Sequence, residues 1–271
     1  DGKVGIYTCG PTVYDTVHIG NLRSFLMSDM IRRVFEFNNF FVTQVMNITD
    51  VDDKTIRKSK ENNTTLEQLT RHYENAFIND IHSLNILTPN KLLRATEYIK
   101  EMIDMISVLL EKGVAYQSKD GIYFSIALSK NYGQLAKLKF DATDSSSLKE
   151  RISNDEYEKE NPRDFVLWKF TTDDDNGNSW EAPFGKGRPG WHIECSAMSM
   201  KELGETLDIH LGGDDLKMIH HQNEIAQSES ATGKTFSTYW MHSAFLQVDG
   251  GRMGKSLGNA YNITDVENKG F

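Results

Sequence analysis

At the start of the chain, the spacing of the apolar residues changes from that of a strand to that of a helix and back. Residues 4–10 (VGIYTCG) and 41–50 (FVTQVMNITD) are rich in β-branched and aromatic side chains, which predicts two strands. Residues 18–40 predict a helix between them, with apolar side chains at helical spacing: Leu22, Phe25, Leu26, Met30, Ile31 and Val34. A strand, a helix and a strand in this order are typical of the βαβ unit of a parallel sheet.

Helical periodicity dominates the next part of the chain. Residues 64–85 and 94–112 predict two helices, and 113–126 predicts a hairpin that turns at an Asp-Gly pair. The stretch 127–163 is polar and rich in charge, which indicates a flexible inserted segment rather than core.

The strand pattern resumes after this segment. Residues 165–170 (FVLWKF) and 207–213 (LDIHLGG) predict strands, and 179–203 predicts a loop followed by a helix. A helix over 217–232 and a strand near 241–248 complete a second βαβ-like half. The pattern therefore predicts an α/β fold: a doubly wound parallel sheet with a small insertion.

These elements divide the chain into four parts. Residues 1–112 form the first half of the predicted α/β domain, 113–164 the insertion and 165–248 the second half. Residues 249–271 contain a last glycine-rich loop.

Composition narrows the class of protein. The 271 residues are 38% hydrophobic with a mean hydropathy of −0.51, and apolar runs stay far below the roughly 18 residues of a membrane span. No basic segment followed by an apolar one opens the chain, so no signal peptide is expected and the expected location is cytoplasmic. The net charge of −9 argues against a uniformly basic surface that coats nucleic acid, but leaves room for a local basic groove.

A first candidate site follows the first strand. His18-x-Gly20-Asn21 opens the predicted helix, and a helix N-terminus offers free N–H groups and a positive dipole end to a phosphate. Gly20 lets a nucleotide approach the backbone closely, and His18 can donate to phosphate oxygens as charge develops. The alternative is a histidine that only caps the loop.

Two further segments carry groups suited to a nucleotide. GGRMGKSLGN at 250–259 combines glycines with Arg252, Lys255 and Ser256, and such cations can neutralise a leaving pyrophosphate, although alone the segment is more often a basic surface turn. Asp215 follows a predicted strand at the carboxyl end of the sheet, where it can accept from a ribose hydroxyl or an ammonium group.

Both cysteines are candidate metal ligands. In a reducing compartment Cys9 and Cys195 are more often ligands or buried thiols than a disulfide. His220 and Glu224 lie four residues apart on one helix face and complete a plausible tetrahedral zinc shell. The spacing does not select them, because three histidines compete for the role: His18, His192 and His221. Two buried thiols and a surface histidine pair remain the alternative.

Six segments occur in an order that resembles cysteinyl-tRNA synthetases. They are CGPTVYD (9–15) followed by a Gly-Asn pair, NITDVDDK (47–54), RPGWHIECSAMS (188–199), HLGGDDL (210–216), HHQNEIAQS (220–228) and GRMGKSLGN (251–259). The resemblance covers essentially the whole chain. It implies a class I synthetase with a Rossmann-type catalytic domain, a small connective insertion and a C-terminal helical region that begins within 249–271.

The resemblance also implies roles for particular residues. The family's zinc ligands fall on Cys9, Cys195, His220 and Glu224. Its ATP-binding positions fall on His18, Gly20, Asn21, Asp215, Arg252, Lys255 and Ser256, of which the catalytic ones are His18, Asn21 and Lys255. Its cysteine pocket falls on Gly10, Thr49 and Trp191.

Three departures from the family pattern bear on these roles. Asn21 replaces the second histidine of the His-Ile-Gly-His signature, and its amide donates a hydrogen bond but carries no charge. Arg252 and Gly254 replace a lysine and a serine of the second signature, which keeps the positive charge and loosens the loop. Gln222 replaces a glutamate that touches no implied ligand.

The implied activity is ATP-dependent activation of L-cysteine and transfer to tRNA(Cys) by a monomer, with Mg²⁺ accompanying ATP. Zinc (Zn²⁺) would select the thiol, since pocket fit alone discriminates such small differences by only about 1–3 kcal/mol. One alternative is a cysteine ligase that passes the same adenylate to an amino-sugar. Another is a catalytically inactive zinc- or RNA-binding relative, against which His18 and Lys255 argue.

Overall fold

The computed structural model describes residues 2–129, 131–137, 163–254 and 257–271, and its first elements form the predicted βαβ unit. Strand β1 (Lys3–Thr8) and strand β2 (Phe41–Ile48) pair in parallel and are joined by helix α1 (Ile19–Phe37).

The central sheet has five strands in the order β3-β2-β1-β8-β9. Besides β1 and β2 it contains β3 (Lys91–Arg94), β8 (Leu207–Gly213) and β9 (Ser237–Ser243), and all neighbouring strands are parallel. The order reverses between β1 and β8, which confirms the predicted doubly wound, Rossmann-type sheet. In such sheets ligands bind at the carboxyl ends of the strands on either side of this reversal.

Helices cover this sheet. After α1 the described helices are α2 (Asp53–Glu61), α3 (Leu66–Ser83), α4 (Ile99–Glu111), α5 (Trp191–Leu203), α6 (Asp214–Lys217), α7 (His220–Thr232) and α8 (Ile263–Glu267). The sequence did not predict α2, and the helix predicted from residue 94 begins only at Ile99 because 91–94 join the sheet as β3. The helix predicted over 217–232 is broken between α6 and α7, which turns the first residue of α7 into the interior.

A second sheet is antiparallel and has four strands. It consists of β4 (Ala115–Gln117), β5 (Gly121–Phe124), β6 (Phe165–Phe170) and β7 (Gly187–Pro189). The β4–β5 hairpin and the strand at 165–170 are confirmed as elements. The sequence assigned β6 to the second half of the parallel sheet, whereas β6 pairs with β5. A short buried apolar run has the same pattern in either sheet, so its partner was not readable.

The last predicted strand is displaced. The structure places β9 at 237–243 instead of 241–248, and residues 247–248 (β10) form a short ribbon with 251–252 (β11). Phe245 and Leu246 gave the segment its apolar character, but they line a cavity rather than a sheet. Of the expected insertion, residue 130 and residues 138–162 lie outside the described part of the chain.

Asp53, at the start of α2, binds this helix to the antiparallel sheet. Its carboxylate accepts from Lys169 Nζ of β6 at 2.5 Å and from the Arg188 guanidinium of β7, which also donates to Asp175 at 2.5 Å. Burial raises the pKa of Asp53, but Arg188 and Lys169 outweigh it and hold the pKa below its usual value. Because α5 follows β7 directly, this contact helps to fix where α5 begins.

None of the described helices combines the length and apolar content that a bilayer crossing requires.

Candidate functional site

A cavity of about 540 Å³ opens at the carboxyl ends of β1, β8 and β9, where the strand order reverses. Its size is typical of small-molecule sites. Residues from the predicted ATP site and from the predicted site for cysteine and the metal line it: Cys9, Gly10, His18, Gly20, Asn21, Trp191 and Asp215.

Four side chains of types that bind metals converge next to the cavity, and one of them, Cys9, lines it. Donor atoms of Cys9, Cys195, His220 and Glu224 all lie within 4.8 Å of one another, and all four residues are buried. His220 Nε2 is 3.4 Å from Cys195 Sγ and 3.0 Å from Glu224 Oε1, while Cys9 Sγ is 4.0 Å from the same oxygen. The structure therefore brings together the four residues that the family resemblance selected.

A second donor set overlaps the first. Cys9 and Glu224 also lie within 4.8 Å of His210 and His221, with Cys9 Sγ 3.4 Å from His221 Nε2. His210 Nε2 contacts the other carboxylate oxygen, Glu224 Oε2, at 2.8 Å.

Outer hydrogen bonds favour the first set. A ligating histidine ordinarily donates its second ring N–H to a partner, which fixes the tautomer. His220 has this partner, since its Nδ1 lies 2.8 Å from His192 Nδ1. Among the described residues, His210 Nδ1 has no partner in good hydrogen-bond geometry, although the Leu211 backbone acts on this ring, so ligation through Nε2 would leave the Nδ1 N–H poorly satisfied. If His210 instead donates from Nε2–H to Glu224, its Nδ1 carries a lone pair and no N–H.

Burial sets the charge state of the donors. It raises the pKa of Glu224, and burial together with Cys195 and Glu224 raises the pKa of the Cys9 thiol. Burial and the neighbouring His192 lower the pKa of His220, and burial lowers the pKa of His210 to about 3. A divalent cation compensates thiolates and a carboxylate that are otherwise costly to ionise here. Two thiols, an imidazole and a carboxylate with an outer shell fit zinc.

Trp191 forms a wall between these donors and the cavity. It is the first residue of α5, is 40% exposed, and stacks on the His220 ring at 4.2 Å between centroids. A small side chain entering the cavity would reach the donors beside this indole.

Gly10 and Thr49 differ in how they meet the cavity. Gly10 lines it and donates from its N–H to Asn47 Oδ1 at 2.8 Å, and an added Cβ would lie 1.8 Å from Asn47 O. Thr49 is not part of the described cavity lining, and its hydroxyl donates to Glu194 Oε2 at 2.8 Å. Burial raises the pKa of Glu194, which is 1% exposed. Glu194 and Asn47 were missed as single residues, although both stand inside quoted motifs.

The N-terminus of α1 holds the histidine of the first motif. His18 is the N-cap, its Nδ1 accepts from Asn21 N at 3.2 Å, and Asn21 Oδ1 accepts from His18 N at 3.3 Å. A neutral imidazole that accepts at Nδ1 carries its proton on Nε2. Gly20 leaves room for this ring, because a Cβ there would lie 2.9 Å from His18 Nδ1. Capping and a role toward a ligand are therefore compatible.

The glycine-rich loop is described only in part. Met253 and Gly254 line the cavity, and Gly254 N donates to Asn259 Oδ1 at 2.9 Å. The backbone of Arg252 lies in β11. Lys255 and Ser256, two predicted ATP-binding residues, lie outside the described part of the chain.

Other histidines surround the cluster formed by Cys9, Cys195, His220 and Glu224. His192 and His221 were only competitors for the role of His220, and here they contact its Nδ1 and the Cys9 thiol respectively. His221 Nδ1 in turn lies 2.8 Å from His242 Nε2. His18, the third competitor, belongs to neither donor set. No sequence spacing could have identified His210 or His242.

The sequence matches one family over residues 1–269, described as tRNA synthetases class I (C) catalytic domain. A curated relative named Cysteine--tRNA ligase from Brachyspira hyodysenteriae is 52% identical over 99% of this chain and 56% of its own length. The one from Protochlamydia amoebophila is 51% identical over the same shares. The chain spans about half the length of the curated relatives it matches.

Solved structures show the same fold at low identity. Mycobacterium tuberculosis methionyl-tRNA synthetase in complex with methionyl-adenylate matches with a TM-score of 0.73 at 15% identity, over 98% of this chain and 62% of that one. A putative arginyl-tRNA synthetase from Campylobacter jejuni matches with a TM-score of 0.59 at 10% identity, over 98% and 60%. The predicted class I synthetase fold is therefore confirmed.

Proposed function

The chain belongs to the family of class I (C) tRNA synthetase catalytic domains, and from that premise we propose that it activates L-cysteine with ATP and transfers the cysteinyl group to tRNA(Cys). The observation that carries the proposal is one cavity with His18, at a helix N-terminus, on its wall and with a cluster of two thiols, an imidazole and a carboxylate that meets it at Cys9. The shared name of the curated relatives supports the same substrate and favours tRNA over an amino-sugar acceptor.

The nucleotide side works by position and charge. The cysteine carboxylate attacks the α-phosphorus of ATP, forming cysteinyl-adenylate and releasing pyrophosphate, so no nucleophile of the protein is needed. His18 donates from Nε2–H to a phosphate oxygen, and the Asn21 amide assists it. Asp215, an exposed residue of the cavity lining, accepts from a ribose hydroxyl or the substrate ammonium. ATP arrives with Mg²⁺.

The remaining ATP-binding groups belong to the glycine-rich loop. Arg252, Lys255 and Ser256 accompany the leaving pyrophosphate, while Gly20 admits the nucleotide close to the backbone.

The thiol side selects the amino acid. Zinc held by Cys9, Cys195, His220 and Glu224 would supply a soft Lewis acid that favours a thiolate over the much less acidic alcohol of serine. Gly10 and Trp191 form the walls beside the substrate, and Thr49 acts from behind by holding Glu194 of α5. Discrimination of this kind needs no editing site.

Cysteine-dependent ATP–pyrophosphate exchange, measured together with zinc content, tests the proposal. We expect exchange with cysteine and not with serine, and one zinc per chain. Cys195→Ser and His220→Gln should lose zinc and cysteine-dependent exchange while still binding ATP. His72→Gln, an exposed histidine on α3, is the matched control and should change neither. Exchange with cysteine that persists after zinc is lost would contradict the proposed selection.

A further inference from the structure

Helix α2 carries a basic surface in an acidic chain. Lys54, Arg57, Lys58 and Lys60 place four cations within its nine residues, while the chain as a whole has a net charge of −9. The Arg57 side chain is 71% exposed, against 38% for Lys58 and 37% for Lys60. A local basic surface against an acidic background indicates a polyanionic ligand.

This surface begins at the mouth of the cavity. Lys54 and Arg57, one helical turn apart, line the cavity and are the only lysine or arginine in its described lining. Lys54 Nζ lies 5.6 Å from the centroid of the Tyr14 ring, which also lines the cavity. A groove that combines cations with an aromatic ring suits single-stranded nucleic acid, whose bases stack while its phosphates pair.

The cations are only loosely held by protein carboxylates. Arg57 and Lys58 lie 3.8 and 3.7 Å from Glu61, and Lys60 lies 3.4 Å from Asp174. Exposed ion pairs of this kind contribute little to stability, so a phosphate can replace the carboxylate.

Side chains rather than the backbone would bind such an anion. Asp52 already caps α2 by accepting from Lys54 N at 2.8 Å, and its charge opposes an anion at that end. The N-terminus of α1, on a different wall, remains for the phosphates of ATP.

We propose that the basic surface of α2 binds the phosphodiester backbone of a single-stranded RNA 3′ end, whose terminal ribose thereby reaches the cavity. This inference rests on the proposed function, since the RNA is the acceptor of the activated amino acid. Lys58 contacts a phosphate outside the cavity and Arg57 the next one at its edge, while Lys54 with Tyr14 receives the last nucleotides at its mouth.

The test measures binding of two RNA hairpins by fluorescence anisotropy over a salt series. One hairpin has an unpaired 3′ end and the other is blunt. The Arg57→Gln, Lys58→Gln double variant should bind the first on the order of tenfold more weakly, with a salt slope smaller by about 1.4, since each phosphate contact on a single strand contributes about 0.7. Binding of the blunt hairpin should be unchanged.

Lys100→Gln is the matched control, because Lys100 also pairs with a carboxylate four residues on, Asp104, but lies on α4. It should bind both hairpins as the unchanged chain does. Equal weakening toward both hairpins, or no weakening, overturns the inference. So does loss of cysteine-dependent pyrophosphate exchange in the double variant, which would assign α2 to activation. Absence of exchange in the unchanged chain would instead refute the proposed function.

Discussion

Replacing His210 by phenylalanine separates the two overlapping donor sets. The His210 ring stacks on Trp240 at 4.3 Å between centroids and meets the edge of Tyr7 at 5.1 Å. Phenylalanine keeps this packing, so His210→Phe removes mainly the N–H that lies 2.8 Å from Glu224 Oε2. Zinc affinity then reports whether that N–H supports a ligand or the nitrogen itself is one.

The two roles differ in magnitude. Loss of an outer-shell partner typically costs 10- to 100-fold in metal affinity, or about 1.4–2.8 kcal/mol. A structural zinc site contributes about 10–16 kcal/mol through four ligands, so one ligand accounts for about 2.5–4 kcal/mol, on the order of 100- to 1000-fold. We therefore expect His220→Phe to weaken zinc binding about tenfold more than His210→Phe.

Competition with a chromophoric zinc chelator at neutral pH measures both affinities, and near-UV circular dichroism of the metal-free variants checks their packing. Near-normal zinc affinity in His220→Phe, together with its loss in His210→Phe, would refute the reasoning. The metal would then belong to the set formed by Cys9, His210, His221 and Glu224.

Three further predictions follow from single contacts. Gly10→Ala should lower the free energy of unfolding by about 1–3 kcal/mol in urea titrations, because the added Cβ would lie 1.8 Å from a backbone oxygen. The control is Gly251→Ala, where the atom nearest to the added Cβ is 3.6 Å away, and its free energy of unfolding should be nearly unchanged. Equal losses of stability in the two variants would contradict this reasoning. The pKa of Asp53 is lowered, so the stability that this carboxylate contributes is present above its ordinary pKa of 3.8 and is lost as the pH falls below that value. Asp53→Asn should therefore flatten the dependence of thermal stability on pH in that range. An unchanged profile would show that the Asp53 contacts to Arg188 and Lys169 contribute nothing. Trp191→Ala should raise KM for cysteine in pyrophosphate exchange without raising KM for ATP, whereas Trp191→Phe should retain much of the affinity; parallel changes in both KM values would place Trp191 elsewhere in the mechanism.

The sequence predicted an element correctly wherever the spacing of the segment's own apolar residues reflects which of its faces is buried. The first βαβ unit, the β4–β5 hairpin and β8 follow the sequence closely, since each is specified by apolar spacing and turn residues within a few positions. The motif at the start of α1 was also legible, because capping by His18 and Asn21 is a contact between residues three apart.

Pairing partners were not legible in the same way. Strand β6 is apolar except for Lys169, and only its neighbours show that it belongs to the antiparallel sheet. Phe245 and Leu246 suggested a strand but line the cavity, so β9 ends before them at Ser243.

By itself, the sequence determined the order of elements, the candidate donors and, through its motifs, the family. Only the tertiary structure decided which side chains meet: Cys9 and His221 lie 212 positions apart yet 3.4 Å from each other. It also showed that two donor sets share Cys9 and Glu224, and that the Thr49 hydroxyl donates to Glu194. The physical reason is that helical and strand periods encode which face is buried, whereas contacts between distant segments arise from how those faces pack.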